Sequence, residues 1–195
     1  MSIKSRKVGI IGVGNVGSHV AFSIVTRGIC DELVLIDIKE DKVKSEMLDL
    51  KDSLANLDSN MIIKSQDYSE LKDAEILVIA AGPLPRFEQT RLDTLDDGVK
   101  IIDNIMPKVL QSGFDGIILV ITNPCDVISH YVWKKSGFPK NRVIGTGTSL
   151  DSARFKRIMS DIMNIDPKSI QGYSLGEHGD SQMIPWSHMY IGGRP

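Results

Sequence analysis

The chain has 195 residues, 42% of them hydrophobic and 25% charged, with a formal net charge of -2. This is the make-up of a globular protein able to bury a core, with room for one domain or one and a fraction. No basic stretch points to a nucleic-acid partner, and no apolar run approaches the ~20 residues of a membrane span. Cys30 and Cys125 lie far apart without a CxxC, which fits a reducing compartment and excludes a disulfide scaffold or a cysteine-built zinc site. Met1 to Lys7 is short and basic but leads directly into a strand, with no cleavable apolar region, so a cytoplasmic location is expected.

Lys7 to Ile11 reads as a buried parallel strand, because its apolar residues run together instead of alternating. It leads into Gly12-Val13-Gly14-Asn15-Val16-Gly17, and the spacing predicts an amphipathic helix from Asn15 to Arg27, stopped by Gly28. Leu33 to Ile36 is a second buried strand and ends in Asp37. A lone G-x-G-x-x-G is weak evidence; a preceding strand, a departing helix and an acid closing the next strand make it specific. Gly12 is expected to make the turn, Gly14 to let a pyrophosphate approach backbone, and Gly17 to let the helix pack on the sheet. The helix N-terminus offers N–H groups to phosphates. Asp37 suits a ribose diol and would repel a 2'-phosphate, favouring NAD over NADP.

Further along, a charged helix is expected over Lys39 to Leu54, and strands at Met61–Ile63 and Ile76–Ala80. The latter runs into Ala81-Gly82, small residues against which a cofactor ring could lie. This alternation predicts an α/β doubly wound parallel sheet, with ligands outside the carboxyl ends of its strands, where Asp37, Gly82 and Asn123 fall. Pro83 to Thr90 suits a mobile lid. It ends at Arg91, expected to open a long helix to Ser112 and to be either a solvated helix-start arginine or one carried onto substrate by lid closure. Gly116 to Ile121 is a fifth strand, running into Thr122-Asn123-Pro124, where the proline disfavours helix at Asn123. Helix is expected over Asp126 to Ser136.

A second helix-dense region begins at Ser149. Asp151 and Arg154 share one face of one turn, as a catalytic pair or as a surface ion pair worth under about 1 kcal/mol. A strand over Ile170 to Leu175 is expected to set Gly176-Glu177-His178-Gly179-Asp180-Ser181 in place. His178 is the one loop side chain there suited to proton exchange near neutral pH, if Asp151 fixes its tautomer; on its own it could equally be an ordinary loop histidine.

With these motifs in their order, the chain resembles the L-lactate/malate dehydrogenase family, including its L-2-hydroxyisocaproate dehydrogenase branch. The resemblance rests on the glycine turn, Thr90-Arg91-Leu92, Thr122-Asn123-Pro124, Leu150-Asp151-Ser152-Ala153-Arg154 and Gly176 to Ser181. It implies a Rossmann NAD-binding domain over 1–145 and the first part of an α+β substrate domain over 146–195, the remainder following Pro195. The resemblance makes His178 the proton donor/acceptor and Asp151 its orienting carboxylate. It makes Arg154 a two-pronged clamp on the substrate carboxylate and Arg91 the group that polarises the carbonyl; Asn123 hydrogen-bonds near carbonyl and nicotinamide. Gly12 to Gly17, Asp37, Ala81, Gly82 and Asn123 would hold NAD, with no metal.

The implied partner is a 2-oxo or 2-hydroxy acid, and the implied assembly a homodimer or homotetramer. Pro85 and Arg86 stand where lactate and malate enzymes differ, and Phe87-Glu88 replaces the usual Pro-Gly. Leu84 and Pro85 would favour pyruvate or 2-oxoisocaproate; a one-residue slip bringing in Arg86 would favour malate chemistry. Asp52 to Leu57 and Gly172 to Leu175 look most like the hydroxyisocaproate branch. Gln171, matching one of a basic pair with Lys156, argues against activation by fructose bisphosphate. A fragment that binds NAD without catalysis is the competing reading.

Overall fold

A computed structural model describes residues 5–83 and 94–194. Within it the chain forms two compact units, residues 1–144 and 145–195.

The first unit is built on strands β1 (Lys7–Ile11), β2 (Glu32–Ile36), β3 (Ile62–Ser65), β4 (Ile76–Ile79) and β5 (Ile117–Val120). With β6 (Val143–Gly145) they make a six-stranded sheet in the order β3-β2-β1-β4-β5-β6. The pairings β1 with β2, β1 with β4, β2 with β3 and β4 with β5 are all parallel. Helices α1 (Asn15–Thr26), α2 (Glu40–Leu54), α3 (Leu95–Gln111) and α4 (Cys125–Ser136) supply the crossovers.

Alternate strand residues serve opposite faces, so the unbroken apolar strands split into two cores. Ile10, Leu33, Leu35 and Val78 pack with Ala21, Ile24, Val43 and Leu50 of α1 and α2. Ile11, Val34, Leu77 and Ile79 pack with Ile102, Met106, Ile128 and Val132 of α3 and α4. A fully buried Ile or Leu contributes roughly 1.5–3 kcal/mol by burial, so these two layers hold the sheet. Cutting Leu35 to alanine would cost roughly 2–5 kcal/mol. Pro107 lies inside α3 and removes one internal hydrogen bond donor there.

The second unit consists of α5 (Ser149–Met163) and a short antiparallel pair, β7 (Ile170–Gln171) with β8 (Tyr190–Ile191). The strand expected over Ile170 to Leu175 is only two residues long. At Ser174 the backbone finds side-chain partners in place of a ladder: it donates its N–H to Ser152 Oγ at 2.9 Å, and its carbonyl accepts from Thr148 Oγ1 at 2.6 Å, while Leu175 forms only an isolated antiparallel bridge with Met183. Helix α4 starts one residue earlier than expected. Among the described residues, no helix is long and apolar enough to cross a membrane.

Candidate functional site

Strand order reverses between β1 and β4, both of which leave the sheet on the same side. Parallel sheets of this type take ligands in the crevice at that switch point. Gly12 stands at its floor with φ of 95°, and a Cβ there would lie 2.3 Å from the Ala81 nitrogen. A Cβ on Gly17 would lie 1.8 Å from the Gly12 carbonyl oxygen. Gly17 is therefore required by the turn itself, more than by helix-on-sheet packing. Gly14 differs: a Cβ on it would meet nothing within 4 Å. Gly14 is half-buried, and a side chain on it would project into open space.

Gly14 is the N-cap of α1, with no side-chain capping bond and no acidic residue in the first turn. The partial positive charge of that helix start is thus left for a ligand anion. A cavity of about 360 Å³ is lined by Gly12, Gly14, Asp37, Ala81 and Gly82, with apolar walls that include Tyr68 and Ile105. A second, of about 400 Å³, is lined by Asn15, Val16, Asp37, Gly82 and Asn123. Val13 behaves differently from its neighbours in the motif. Its side chain is fully buried in the core, and it contributes only its N–H, which donates to Asp37 Oδ2 at 2.7 Å. Asp37 Oδ1 accepts from the Lys39 N–H at 3.0 Å. The Tyr68 hydroxyl is raised above its ordinary value, first by burial and then by the charge of Asp37. The Asn123–Pro124 bond is cis.

In the second unit, the pairing expected for His178 is present. Nδ1 of His178 lies 2.5 Å from Asp151 Oδ2, with side-chain exposures of 11% and 12%. A carboxylate at that distance fixes which ring nitrogen carries the proton. Arg154 reaches Asp151 Oδ1 at 3.4 Å while its side chain stays 57% exposed. Its guanidinium is accordingly accessible to a carboxylate. The loop carrying His178 is closed at its neck by two backbone bonds between Leu175 and Met183, at 2.8 and 2.9 Å. Inside it, Gly176 has φ of 97° and Ser181 Oγ donates to the Glu177 carboxylate at 2.7 Å.

Several functional contacts escaped the sequence reading. Thr148, the N-cap of α5, and Ser152 in its first turn lie either side of Asp151 in the chain, and both bind the backbone of Ser174, four residues before His178. Ser174 Oγ in turn donates to Gln182 Oε1 at 3.0 Å. The ST-type residues around the motif were the only available signal. Lys156 lies over the Tyr173 ring at 4.7 Å. Arg91, with Leu84, Pro85, Arg86, Phe87 and Glu88, lies outside the described residues.

A six-stranded sheet in this order, with a glycine turn at its switch point and an acid closing β2, defines a dinucleotide-binding domain. The chain belongs to the lactate/malate dehydrogenase family. The model of the family's NAD binding domain matches residues 6–145, and that of its alpha/beta C-terminal domain matches residues 148–195. L-lactate dehydrogenase 3 of Bacillus cereus is 50% identical over 195 residues, covering 100% of this chain and 62% of the relative. L-lactate dehydrogenase 2 of Lactococcus lactis subsp. lactis is 43% identical over the same span. Among solved structures, the ligand-bound minor L-lactate dehydrogenase of Enterococcus mundtii superposes with a TM-score of 0.95 at 42% identity, covering 99% of this chain and 62% of that one. The chain thus spans about 62% of the length of the relatives it matches. The bare backbone at Gly14, the uncapped helix start and the carboxylate of Asp37 fit the pyrophosphate and ribose of NAD.

Proposed function

We propose that the protein is an NAD-dependent L-2-hydroxyacid dehydrogenase of the L-lactate dehydrogenase type, acting on pyruvate or a larger aliphatic 2-oxoacid. The observation that carries the reading is the half-enclosed His178–Asp151 pair, beside the exposed guanidinium of Arg154, in a chain of this family. When bound, the nicotinamide supplies or takes the hydride.

The protein's own residues do the rest. Arg154 holds the substrate carboxylate through two parallel hydrogen bonds, which a lysine could not make. That contact orients the carbonyl carbon before reaction. As negative charge builds on the carbonyl oxygen, protonated His178 donates a hydrogen bond to it and then the proton itself, from Nε2. Asp151 holds the ring by Nδ1–H and stabilises the imidazolium, so that little reorganisation is needed when charge develops. In the reverse direction neutral His178 takes the hydroxyl proton. By resemblance to the family, Arg91 would add a second positive charge at the carbonyl oxygen, and Asn123 would hydrogen-bond near the carbonyl and the nicotinamide. Residues 1–145 are assigned to cofactor binding and residues 146–195 to the first part of the substrate domain. A homodimer or homotetramer in the cytoplasm, acting on small 2-oxo and 2-hydroxy acids, completes the proposal.

Comparing pyruvate, 2-oxoisocaproate and oxaloacetate as oxidants of NADH tests it. Turnover of either aliphatic acid well above oxaloacetate is expected. A preference for oxaloacetate would replace the reading with malate dehydrogenase, and NADH binding without turnover of any 2-oxoacid would overturn the enzyme assignment.

A further inference from the structure

We propose that Gln66 is a positioning residue that enforces preference for a dinucleotide lacking a 2'-phosphate, by holding the peptide of Asp37; this rests on the NAD reading of the glycine-turn site. The β2–β3 ladder ends with the pair Leu35 and Ser65. One further backbone bond follows, from Gln66 N–H to the Leu35 carbonyl at 2.9 Å. There the chain turns away, with Gln66 at φ of 64°, in the left-handed region that side chains rarely adopt. Strand β3 therefore has no backbone left to offer Asp37.

The Gln66 side chain replaces it. Oε1 accepts the Asp37 N–H at 3.0 Å, and Nε2 donates to the Asp37 carbonyl at 2.8 Å. One carboxamide thus imitates one more peptide of the missing strand. Both polar groups of the Asp37 backbone are held, and its carboxylate is held in turn by the N–H groups of Val13 and Lys39. Gln66 and Asp37 line the same cavity of about 360 Å³. A non-glycine residue persisting in a left-handed conformation at a ligand cavity is the kind of local strain that surrounding contacts must sustain.

The consequence concerns charge. Lys39 and Lys42 line the adjoining cavity together with Asp37. With Asp37 fixed, its carboxylate would accept from a ribose diol and repel a phosphate ester. With Asp37 loosened, that repulsion would weaken while Lys39 and Lys42 remain to attract the phosphate, opposed by Glu40 of the first cavity. Gln66 therefore acts through Asp37 and sets discrimination more than overall affinity.

The test is NADH and NADPH binding by the intact protein, followed by nicotinamide fluorescence, alongside thermal unfolding. Gln66→Gly accommodates the backbone conformation without strain yet removes the carboxamide; Gln66→Leu fills the volume without polar atoms. For both variants the NADH-over-NADPH affinity ratio is expected to fall about tenfold from wild type, the value of one to two net hydrogen bonds. The fall should be the same in both although only Gln66→Leu keeps the backbone strain. A ratio unchanged within about twofold in Gln66→Gly would show Gln66 to be a strand-end cap and nothing more. Asp37→Asn separates the two levels of the argument. If wild type does not prefer NADH, or Asp37→Asn leaves the ratio unaltered, the cofactor reading of Asp37 fails and the inference with it.

Discussion

Replacing Asp151 by asparagine keeps the size of the side chain and removes its charge, which makes it the sharpest perturbation of the candidate proton-transfer pair. The 2.5 Å contact to His178 Nδ1 joins two side chains only 11% and 12% exposed, so water screens it weakly. A hydrogen bond to a charged group is worth about 1.5–3 kcal/mol. The asparagine amide can moreover present N–H to Nδ1, favouring the tautomer that carries its proton on Nε2 and cannot accept one there. At 1.36 kcal/mol per tenfold, the bond alone predicts a loss in kcat/KM on the order of 10–150-fold for 2-oxoacid reduction; the wrong tautomer adds to the loss only in the reverse, hydroxyacid-oxidising direction, where Nε2 must accept a proton. The assay is steady-state NADH oxidation with the preferred 2-oxoacid, together with NADH titration by fluorescence. NADH affinity should stay within about twofold, since Asp151 is assigned no part in the nucleotide site. A variant retaining kcat/KM within about threefold of wild type would mean that the pair is a structural contact, and the mechanism would fall.

Other consequences concern the glycine turn, acid stability and the buried thiol. Gly17→Ala should both destabilise the fold and abolish NADH binding, because its Cβ would lie 1.8 Å from a backbone oxygen. Gly14→Ala should leave the unfolding midpoint nearly unchanged while weakening NADH binding, since that methyl meets no protein atom within 4 Å; the opposite ranking would show that the turn does not face a ligand. Hydrogen bonds from Arg6 hold the Asp31 carboxyl down at about 2, against an ordinary 3.8. A depressed carboxylate stabilises the fold fully above its unfolded value and loses that contribution as pH falls through the folded one. The unfolding midpoint should therefore drop between about pH 4 and pH 2, and the drop should be shallower in Asp31→Asn. Burial pushes the Cys30 thiol up to about 11, and the residue is 4% exposed. Iodoacetamide at pH ~8 should leave Cys30 unmodified in the native protein and alkylate it in denaturant, as peptide mass mapping would show.

How much of this was legible in the chain depended on the range over which each signal acts. The parallel strands announce themselves because residues such as Leu33 to Ile36 are buried on both faces and must all be apolar. The glycine turn is legible because steric necessity at Gly12 and Gly17 admits no other residue. The His178–Asp151 contact spans 27 positions, and only the recognisable motifs at both ends brought it into view. Gln66 gave no such sign. Its contacts run from side chain to backbone across 29 positions, a relation with no period in the sequence. Ser152 and Thr148 were hidden for the same reason, and they also explain why the strand expected up to Leu175 stops at Gln171: the polar backbone of Ser174 is already bonded to them.

The most direct measurement on the account as a whole is made with His178→Ala. Turnover of NADH with a 2-oxoacid should fall by at least about 10²–10⁴-fold, the usual worth of a positioned acid–base group, while NADH binds as in wild type. Turnover that survives the substitution, or NADH binding that disappears with it, would contradict the role given to this histidine.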